Sequence, residues 1–174
     1  MGREELTVKQ MLKALFVGTA LLVVMARPAA AQDLSGGYAL VNWNGCCAHG
    51  FMIDYSHPVY KAGKLNVEGL VDFGWTRFSE EETDTTFVGG ARFKVLPQAP
   101  VPVFGQVTFG VVHWDEEFTN TTGNDFIMGF GGGTIIKATD MFGIKPQVDF
   151  FILPGDSSDW FFRFTINAVI KIGK

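Results

Sequence analysis

The chain has 174 residues, enough for one domain, with 47% hydrophobic residues, 18% charged residues and a formal net charge of −4. An acidic chain is a poor candidate for binding nucleic acid, because such binding relies on basic residues that contact phosphates. Beyond the N-terminal region, no uncharged apolar run approaches the ~18 residues that a membrane-spanning helix needs, which excludes a bundle of membrane helices.

The N-terminal region has the features of a secretory signal peptide. Lys13 precedes an apolar run, and that run ends in small residues suited to cleavage before Gln32. We therefore predict a cleavable signal peptide at 1–31 and one domain at 32–174. Translation could start at Met11 instead of the first residue, and a retained membrane anchor is the alternative interpretation of this segment.

The clearest secondary-structure pattern runs from Lys64 to Phe78, where apolar and polar residues alternate. The apolar set is Leu65, Val67, Val71, Phe73 and Trp75, and the polar set includes Asn66, Glu68, Asp72 and Thr76. A period of two with one apolar face predicts a β-strand that lies between two environments. A length of about 12 residues is twice that of the usual strand and suits a tilted strand crossing a bilayer, which needs ~9–11 residues.

Seven further segments are predicted as strands, and turn-forming residues such as Asn44-Gly45 and Pro58 separate them; the sixth strand, 126–137, is glycine-rich and its phase stays open. In chain order the predicted strands are 34–43, 51–56, 64–78, 86–95, 101–114, 126–137, 144–153 and 160–172. This even number of strands predicts an all-β fold, an eight-stranded antiparallel up-and-down transmembrane β-barrel preceded by the signal peptide. Connections after strands three, five and seven are the more acidic ones, which favours an outward position for them and a periplasmic position for the others.

All four tryptophans lie near one end of this arrangement. They are Trp43, Trp75, Trp114 and Trp160. We interpret them as an aromatic girdle at one membrane interface. Trp114 has the phase of the polar face, however, and would need a β-bulge in order to face lipid.

The charged residues of the strands share the polar phase. We predict that they form a polar network in the lumen, with the members Asp54, Glu68, Asp72, Arg92, Lys94, Lys145, Asp149 and Arg163. A basic residue on the lipid face costs ~2–4 kcal/mol near the midplane, so in a membrane barrel these residues must point inward. An eight-stranded barrel is just wide enough to be filled by its side chains, which predicts a closed, paired network; a gated conduction path is the alternative.

Alternation alone also fits a soluble sandwich or a lipocalin-like barrel, because these folds too have one apolar face. Small residues on the polar face, among them Gly74, Gly90 and Gly110, suit a narrow lumen better than a solvated surface. Together with the long strands and the gathered tryptophans, they favour the membrane barrel.

Strands six to eight carry the residues of a family resemblance, and these stretches are Gly129 to Gly133, Thr139-Asp140, Pro146 to Asp149 and Arg163 to Thr165. They resemble the OmpA-like family of eight-stranded outer-membrane barrels, which includes the OmpX- and opacity-type proteins. The resemblance implies secretion across the inner membrane and insertion into a bacterial outer membrane by the barrel assembly machinery. We expect a monomer whose partners are outer-membrane lipids and lipopolysaccharide, without nucleic acid.

Patterns that carry catalysis or metal binding are weak. Ser56 and His57 are adjacent, so on a strand they point to opposite faces and cannot act on one another locally. His49 falls in a predicted loop, whereas His113 lies near the outer rim, where it could meet a Ser or a Glu. No Cys/His spacing fits a zinc site, and the adjacent pair Cys46-Cys47 could form a strained vicinal disulfide, bind a partner thiol or stay reduced.

We therefore expect a non-enzymatic outer-membrane barrel with a structural, adhesive or minor transport role and with no catalytic residue, metal or cofactor. One alternative is an outer-membrane enzyme that modifies lipid A, and another is a secreted soluble barrel that binds an apolar ligand. The acidic outer segments 80–84 and 115–117 could bind divalent cations that bridge lipopolysaccharide, or the surface of a host or partner.

Overall fold

The computed structural model describes residues 32–79, 82–116, 121–154 and 159–172, and the predicted signal peptide lies outside these residues. The strands are β1 (Gln32–Trp43), β2 (Cys46–Ala62), β3 (Leu65–Arg77), β4 (Glu82–Val95), β5 (Val103–Glu116), β6 (Thr121–Thr134), β7 (Ile136–Lys137), β8 (Phe142–Leu153) and β9 (Asp159–Ile172). The described residues include no helix that is long and apolar enough to cross a bilayer.

The strands close into a barrel. Strands β1 to β6 pair in chain order, β6 pairs with β8, β8 with β9, and β9 with β1, and every one of these pairings is antiparallel. The short β7 continues the line of β6 beyond Ile135 and also pairs with β8. The wall therefore has eight strands, which confirms the predicted fold class.

Two tight turns define the ends of the barrel. Asn44 and Gly45 have φ angles of 50° and 85°, as a two-residue type I′ hairpin turn between β1 and β2 requires. We call the end that carries this turn the upper end. At the lower end, Gly63 and Lys64 connect β2 to β3.

The predicted end of the second strand is wrong. β2 continues past Pro58 to Ala62, with an irregular register between Pro58 and Tyr60. Its described pairing with β1 ends at Ser56, so Pro58 lies where β2 pairs only with β3. A proline, which lacks a backbone N–H, is tolerated in such an edge or bulge position.

The apolar side of the strands faces outward. Phe73 and Phe164 are each 38% exposed, whereas Asp72 and Arg163, adjacent to them in sequence, are each 1% exposed. Alternation within a strand puts neighbours on opposite faces of the wall, so the barrel has an apolar exterior and a largely polar interior. A soluble barrel that holds an apolar ligand requires the opposite arrangement.

Two clusters of buried apolar residues lie in the interior, a larger one near the upper end and a smaller one toward the lower end. The upper cluster comprises Val41, Ala48, Val88, Val112, Ile127, Phe151 and Phe161, and the lower one comprises Phe104, Ile135 and Val169. Most of the other buried side chains are polar or charged.

Candidate functional site in the barrel interior

The eight charged residues predicted for the lumen are all buried, and none is more than 5% exposed. They come from β2, β3, β4, β8 and β9, and their side chains meet inside the barrel in three groups that hydrogen bonds join. We call the whole set, with its hydrogen-bonding neighbours, the lumen network.

The first group is centred on Arg163 of β9. Its guanidinium donates to both carboxylate oxygens of Asp72, at 3.0 and 2.7 Å, and to Asp149 at 3.0 Å. The face of the same guanidinium lies 5.0 Å from the centre of the Phe151 ring. Arg163 is thus held by a two-pronged ion pair, a second carboxylate and a ring, which fixes its planar head.

The second group is centred on Asp54 of β2. Arg92 donates to this carboxylate at 3.2 Å, Lys145 forms a short ion pair with it, and the Ser35 hydroxyl donates at 2.6 Å. Lys145 also donates to the Ser35 oxygen at 2.7 Å. A carboxylate with two cations and a hydroxyl around it has the charged partners that burial demands.

The third group lies nearer the lower end, around Lys94. Its ammonium donates to Glu68 at 2.6 Å and to Asp33 at 2.7 Å. The Ser56 hydroxyl donates to Glu68 at 3.0 Å and accepts from Arg92 at 3.4 Å, which joins this group to the second.

Gln106 of β5 joins the first and second groups. Its side-chain oxygen accepts from Arg92 at 3.0 Å and its nitrogen donates to Asp149 at 2.9 Å. The result is one continuous network from Lys94 to Arg163.

Sequence reasoning missed six members of this network, which are Asp33, Ser35, Ser56, Thr86, Gln106 and Gln147. Their inward phase is visible in the alternation of their strands. Asp33 is absent from the predicted set because the first predicted strand begins two residues after β1 does, and the other five are absent because that set contains only charged residues.

Two of the predicted girdle tryptophans do face outward. Trp75 stacks on Phe51 with ring centroids 5.8 Å apart, and Trp160 stacks on Phe162 at 6.3 Å. Their neighbours are outward-facing apolar residues of the same wall, so both fit an interfacial position.

The girdle assignment is wrong for the other two. The indole N–H of Trp43 donates to Asp159 at 2.9 Å, and that of Trp114 donates to Asp125 at 2.9 Å, both inside the rim of the barrel. Each tryptophan lies two residues beyond an inward-facing valine of its strand, which puts its ring on the inner face. The position of a tryptophan at the end of a strand therefore does not determine which face of the wall it lies on; the alternation of that strand does.

The two inward tryptophans line a cavity of about 610 Å³ at the upper end, which we call the upper cavity. The described lining residues are Trp43, Asn44, Cys46, Phe78, Glu82, Asp84, Trp114, Asp115, Asp125, Phe126, Leu153, Pro154 and Asp159. Five of them carry carboxylates, and none of these lining residues is a lysine or an arginine.

Solved structures of outer-membrane proteins share this architecture. Neisserial surface protein A (NspA) matches with a TM-score of 0.61 at 11% sequence identity, covering 84% of this chain and 100% of that chain. Ail, the attachment invasion locus protein of Yersinia pestis, matches with a TM-score of 0.60 at 14% identity, covering 84% and 100%. The outer membrane enzyme PagL matches with a TM-score of 0.53 at 14% identity, covering 80% and 99%.

The chain has the fold of the eight-stranded outer-membrane β-barrels. The sequence matches no protein-family model and no curated protein. The likeness to the solved outer-membrane barrels is therefore one of three-dimensional fold.

One outer-membrane barrel with this fold, PagL, is an enzyme. The serine and histidine side chains that could act in catalysis therefore matter here. Ser56 donates to Glu68 of the lumen network, while Nδ1 of the neighbouring His57 is buried with no hydrogen-bond partner among the described residues. His113 is hydrogen-bonded to Asn124 at 3.0 Å on the outer surface. These contacts do not provide the nucleophile and base at hydrogen-bond distance that acyl transfer requires.

The described residues contain no group of three or more His, Cys, Asp or Glu side chains placed to hold a metal ion. Cys46 and Cys47 are both free thiols; Cys46 lines the upper cavity and Cys47 accepts a hydrogen bond from Asn42 at 3.4 Å.

Proposed function

We propose that the protein is a non-enzymatic barrel of a bacterial outer membrane, with a lumen closed by ion pairs and a structural or adhesive role. The observation that carries the proposal is the reversed polarity of the wall, with apolar side chains outside and a continuous ionic network inside. The same fold occurs in Ail, an attachment invasion locus protein, which supports the adhesive role at the level of fold.

The outward side chains support a membrane location because they are too apolar for water. Large exposed hydrophobics recur on every long strand, for example Phe87, Phe109, Phe130, Val148 and Ile166. Soluble monomers rarely expose contiguous apolar patches above a few hundred Å². Contact with lipid hydrocarbon removes the free-energy cost of exposing these apolar side chains to water. Outer-membrane lipids and lipopolysaccharide are therefore the proposed partners of this surface.

The ion pairs support a closed lumen over the minor transport role. A permeating ion would have to separate Arg163 from Asp72 or Asp54 from Arg92, and these four side chains are each at most 1% exposed. Breaking a buried ion pair by removing one partner costs ~3–5 kcal/mol. We expect no stable conductance steps when the folded protein is placed in a planar lipid bilayer.

A matched pair of substitutions tests the membrane location. Ile166 faces outward near the middle of β9, and Thr122 faces outward at the upper end of β6. In lipid, Ile166→Arg should destabilise the barrel by ~2–4 kcal/mol and Thr122→Arg by about 1 kcal/mol or less, because the cost of a charge depends on depth.

Two measurements decide the outcome. The first is membrane fractionation with the gel mobility of boiled against unboiled samples, and the second is urea unfolding of both variants in lipid vesicles. Equal effects of the two arginines, or a wild-type protein that stays in solution without detergent, would contradict the proposal.

A further inference from the structure

The upper cavity has the dimensions of a small-molecule site. Its volume of about 610 Å³ falls in the usual range for ligand pockets, roughly 300–1,000 Å³. The cavity lies above the lumen network and is formed by the barrel fold itself. A ligand of this cavity can therefore be tested independently of the proposed membrane location.

Aromatic rings line part of the cavity, and contacts with further aromatic rings hold Trp43 in place. Trp43 packs edge-on against Phe78 at 6.4 Å and stacks on the buried Phe161 at 5.0 Å. Phe161 in turn stacks on Phe151 at 4.8 Å. Ring faces fixed in this way form a preorganised surface for an apolar group or for a cation that approaches a ring face.

Two carboxylates of the lining hold the tryptophans. Asp159 accepts from the Trp43 indole and from the Asn44 side chain at 3.2 Å, and Asp125 accepts from the Trp114 indole. With both indole N–H groups satisfied, hydrogen bonds to these two acidic side chains fix the orientation of the two rings.

Asp84 has no such partner. It lies on β4 in the lining of the cavity, its residue is 5% exposed, and its carboxylate makes no hydrogen bond or ion pair with any described residue. Every carboxylate of the lumen network, by contrast, touches a lysine or an arginine. Asp84 thus lies in the cavity lining without a lysine or arginine beside it, and a cationic ligand in the cavity would supply the missing partner.

The position of Asp84 lies above the apolar belt of the wall. The outward residues of β4 change from Phe87 to the polar Thr85 and Thr83, so Asp84 lies outside the lipid-facing part of the strand. Burial and, to a lesser extent, the nearby Glu82 carboxylate together raise the pKa of Asp84 to about 7, against a smaller opposing effect of His113.

The chemistry of the lining narrows the class of ligand. Five carboxylates without a lysine or arginine exclude phosphates and other anions, and no described group is arranged to hold a metal ion. Indole and phenyl faces add affinity for a cation that has lost its water, and for an apolar body attached to it. We propose that the upper cavity binds a small organic cation that bears an apolar or aromatic group, with Asp84 as its counter-charge and Trp43 and Trp114 as its aromatic walls.

The probe for the experiment is benzyltrimethylammonium, whose charge does not depend on pH. Isothermal titration calorimetry of the folded barrel in a nonionic maltoside detergent should show saturable binding with a stoichiometry of one. Neopentylbenzene, the uncharged carbon analogue, and benzenesulfonate, an anion, should bind at least about tenfold more weakly, because each lacks the charged contact.

Variants identify the site. Asp84→Asn should weaken binding of benzyltrimethylammonium by about tenfold or more. Asp140→Asn is the matched control, because Asp140 is an exposed aspartate in the connection after β7 at the lower end, and it should leave binding unchanged. Trp114→Leu should also weaken binding, and it serves as the second variant if Asp84→Asn does not give the heat-dependent mobility shift of a folded barrel.

Several results would overturn the proposal. Equal affinity of wild type and Asp84→Asn, equal affinity for the uncharged analogue, or heat signals that do not saturate would each do so. Binding that requires a cationic peptide and is absent for benzyltrimethylammonium would overturn it in favour of a protein partner.

Discussion

The lumen network and the upper cavity use the same residue type in opposite ways. In the network, the carboxylates of Asp33, Asp54, Glu68, Asp72 and Asp149 each lie within 3.2 Å of a basic nitrogen. In the upper cavity, five carboxylates share a lining that has no basic side chain. Carboxylates that form ion pairs with lysine or arginine side chains inside the barrel stabilise its fold. Carboxylates of the cavity lining that have no basic side chain beside them can instead attract a cation from solution.

The largest effect is expected from breaking the network at Arg163. Arg163→Met would leave Asp72 and Asp149 buried without a cation, which should lower the free energy of unfolding by ~3–5 kcal/mol. Urea unfolding of the folded barrel in detergent micelles measures the change. Arg77→Met, at an exposed arginine near the upper end of β3, should cost well under half as much, and similar losses for both would contradict the structural role of the network.

A smaller effect is expected from crowding the network without removing a charge. A Cβ atom at Gly131 of β6 would overlap Oδ1 of Asp149 and press on the backbone of Val148. Gly131→Ala should therefore cost ~1–3 kcal/mol, the usual range for overpacking. At Gly105, on the outer face of β5, a Cβ would meet nothing closer than 3.8 Å, so Gly105→Ala is the control that should leave the unfolding midpoint nearly unchanged.

The pH dependence of cation binding tests the difference between the paired carboxylates of the lumen network and the carboxylates of the upper cavity. With its pKa raised to about 7, Asp84 is mostly protonated at pH 5 and mostly ionised at pH 8. A cation binds the ionised form, so the affinity for benzyltrimethylammonium should rise by up to about tenfold over this interval. Calorimetry at several pH values measures it, and Asp84→Asn should remove the rise through pH 7; an unchanged rise in that variant would assign it to another group.

The smallest effect is expected at the outward tryptophans. Trp75→Leu keeps an apolar side chain at the interface and should change stability by about 1 kcal/mol or less. Trp43→Leu removes the hydrogen bond to Asp159 and the stack on Phe161, so its cost should be clearly larger. Equal costs would show that the inward and outward tryptophans have equivalent surroundings.

Alternation explains why much of this architecture is predictable from the sequence. In a strand, the face of every residue follows from one phase, so Asp72 and Arg163 can be assigned to the same side of the wall without coordinates. Their direct contact cannot be predicted in this way. Asp72 is on β3 and Arg163 on β9, and which inward residues meet across a barrel depends on the stagger of strands that are not neighbours.

The upper cavity was not predictable for a related reason. The acidic upper segments and the tryptophans are visible in the sequence, but the inward turn of Trp43 and Trp114 requires the phase to hold up to the last residue of each strand. Asp84 lay in a predicted connection, whereas the structure extends β4 to Glu82 and places Asp84 on its inner face. Strand ends are the least certain part of any prediction from pattern, and here they contain the candidate binding residues.

The regular pairing of β2 across its upper end has a chemical consequence for Cys46 and Cys47. Because Cys46 pairs with Trp43 and Cys47 with Asn42, the two thiols project to opposite sides of the wall, one into the cavity and one away from it. They cannot oxidise to a bond with each other while this hairpin is intact. The two cysteines are therefore natural attachment points for reporters on the inner and outer faces of a single strand.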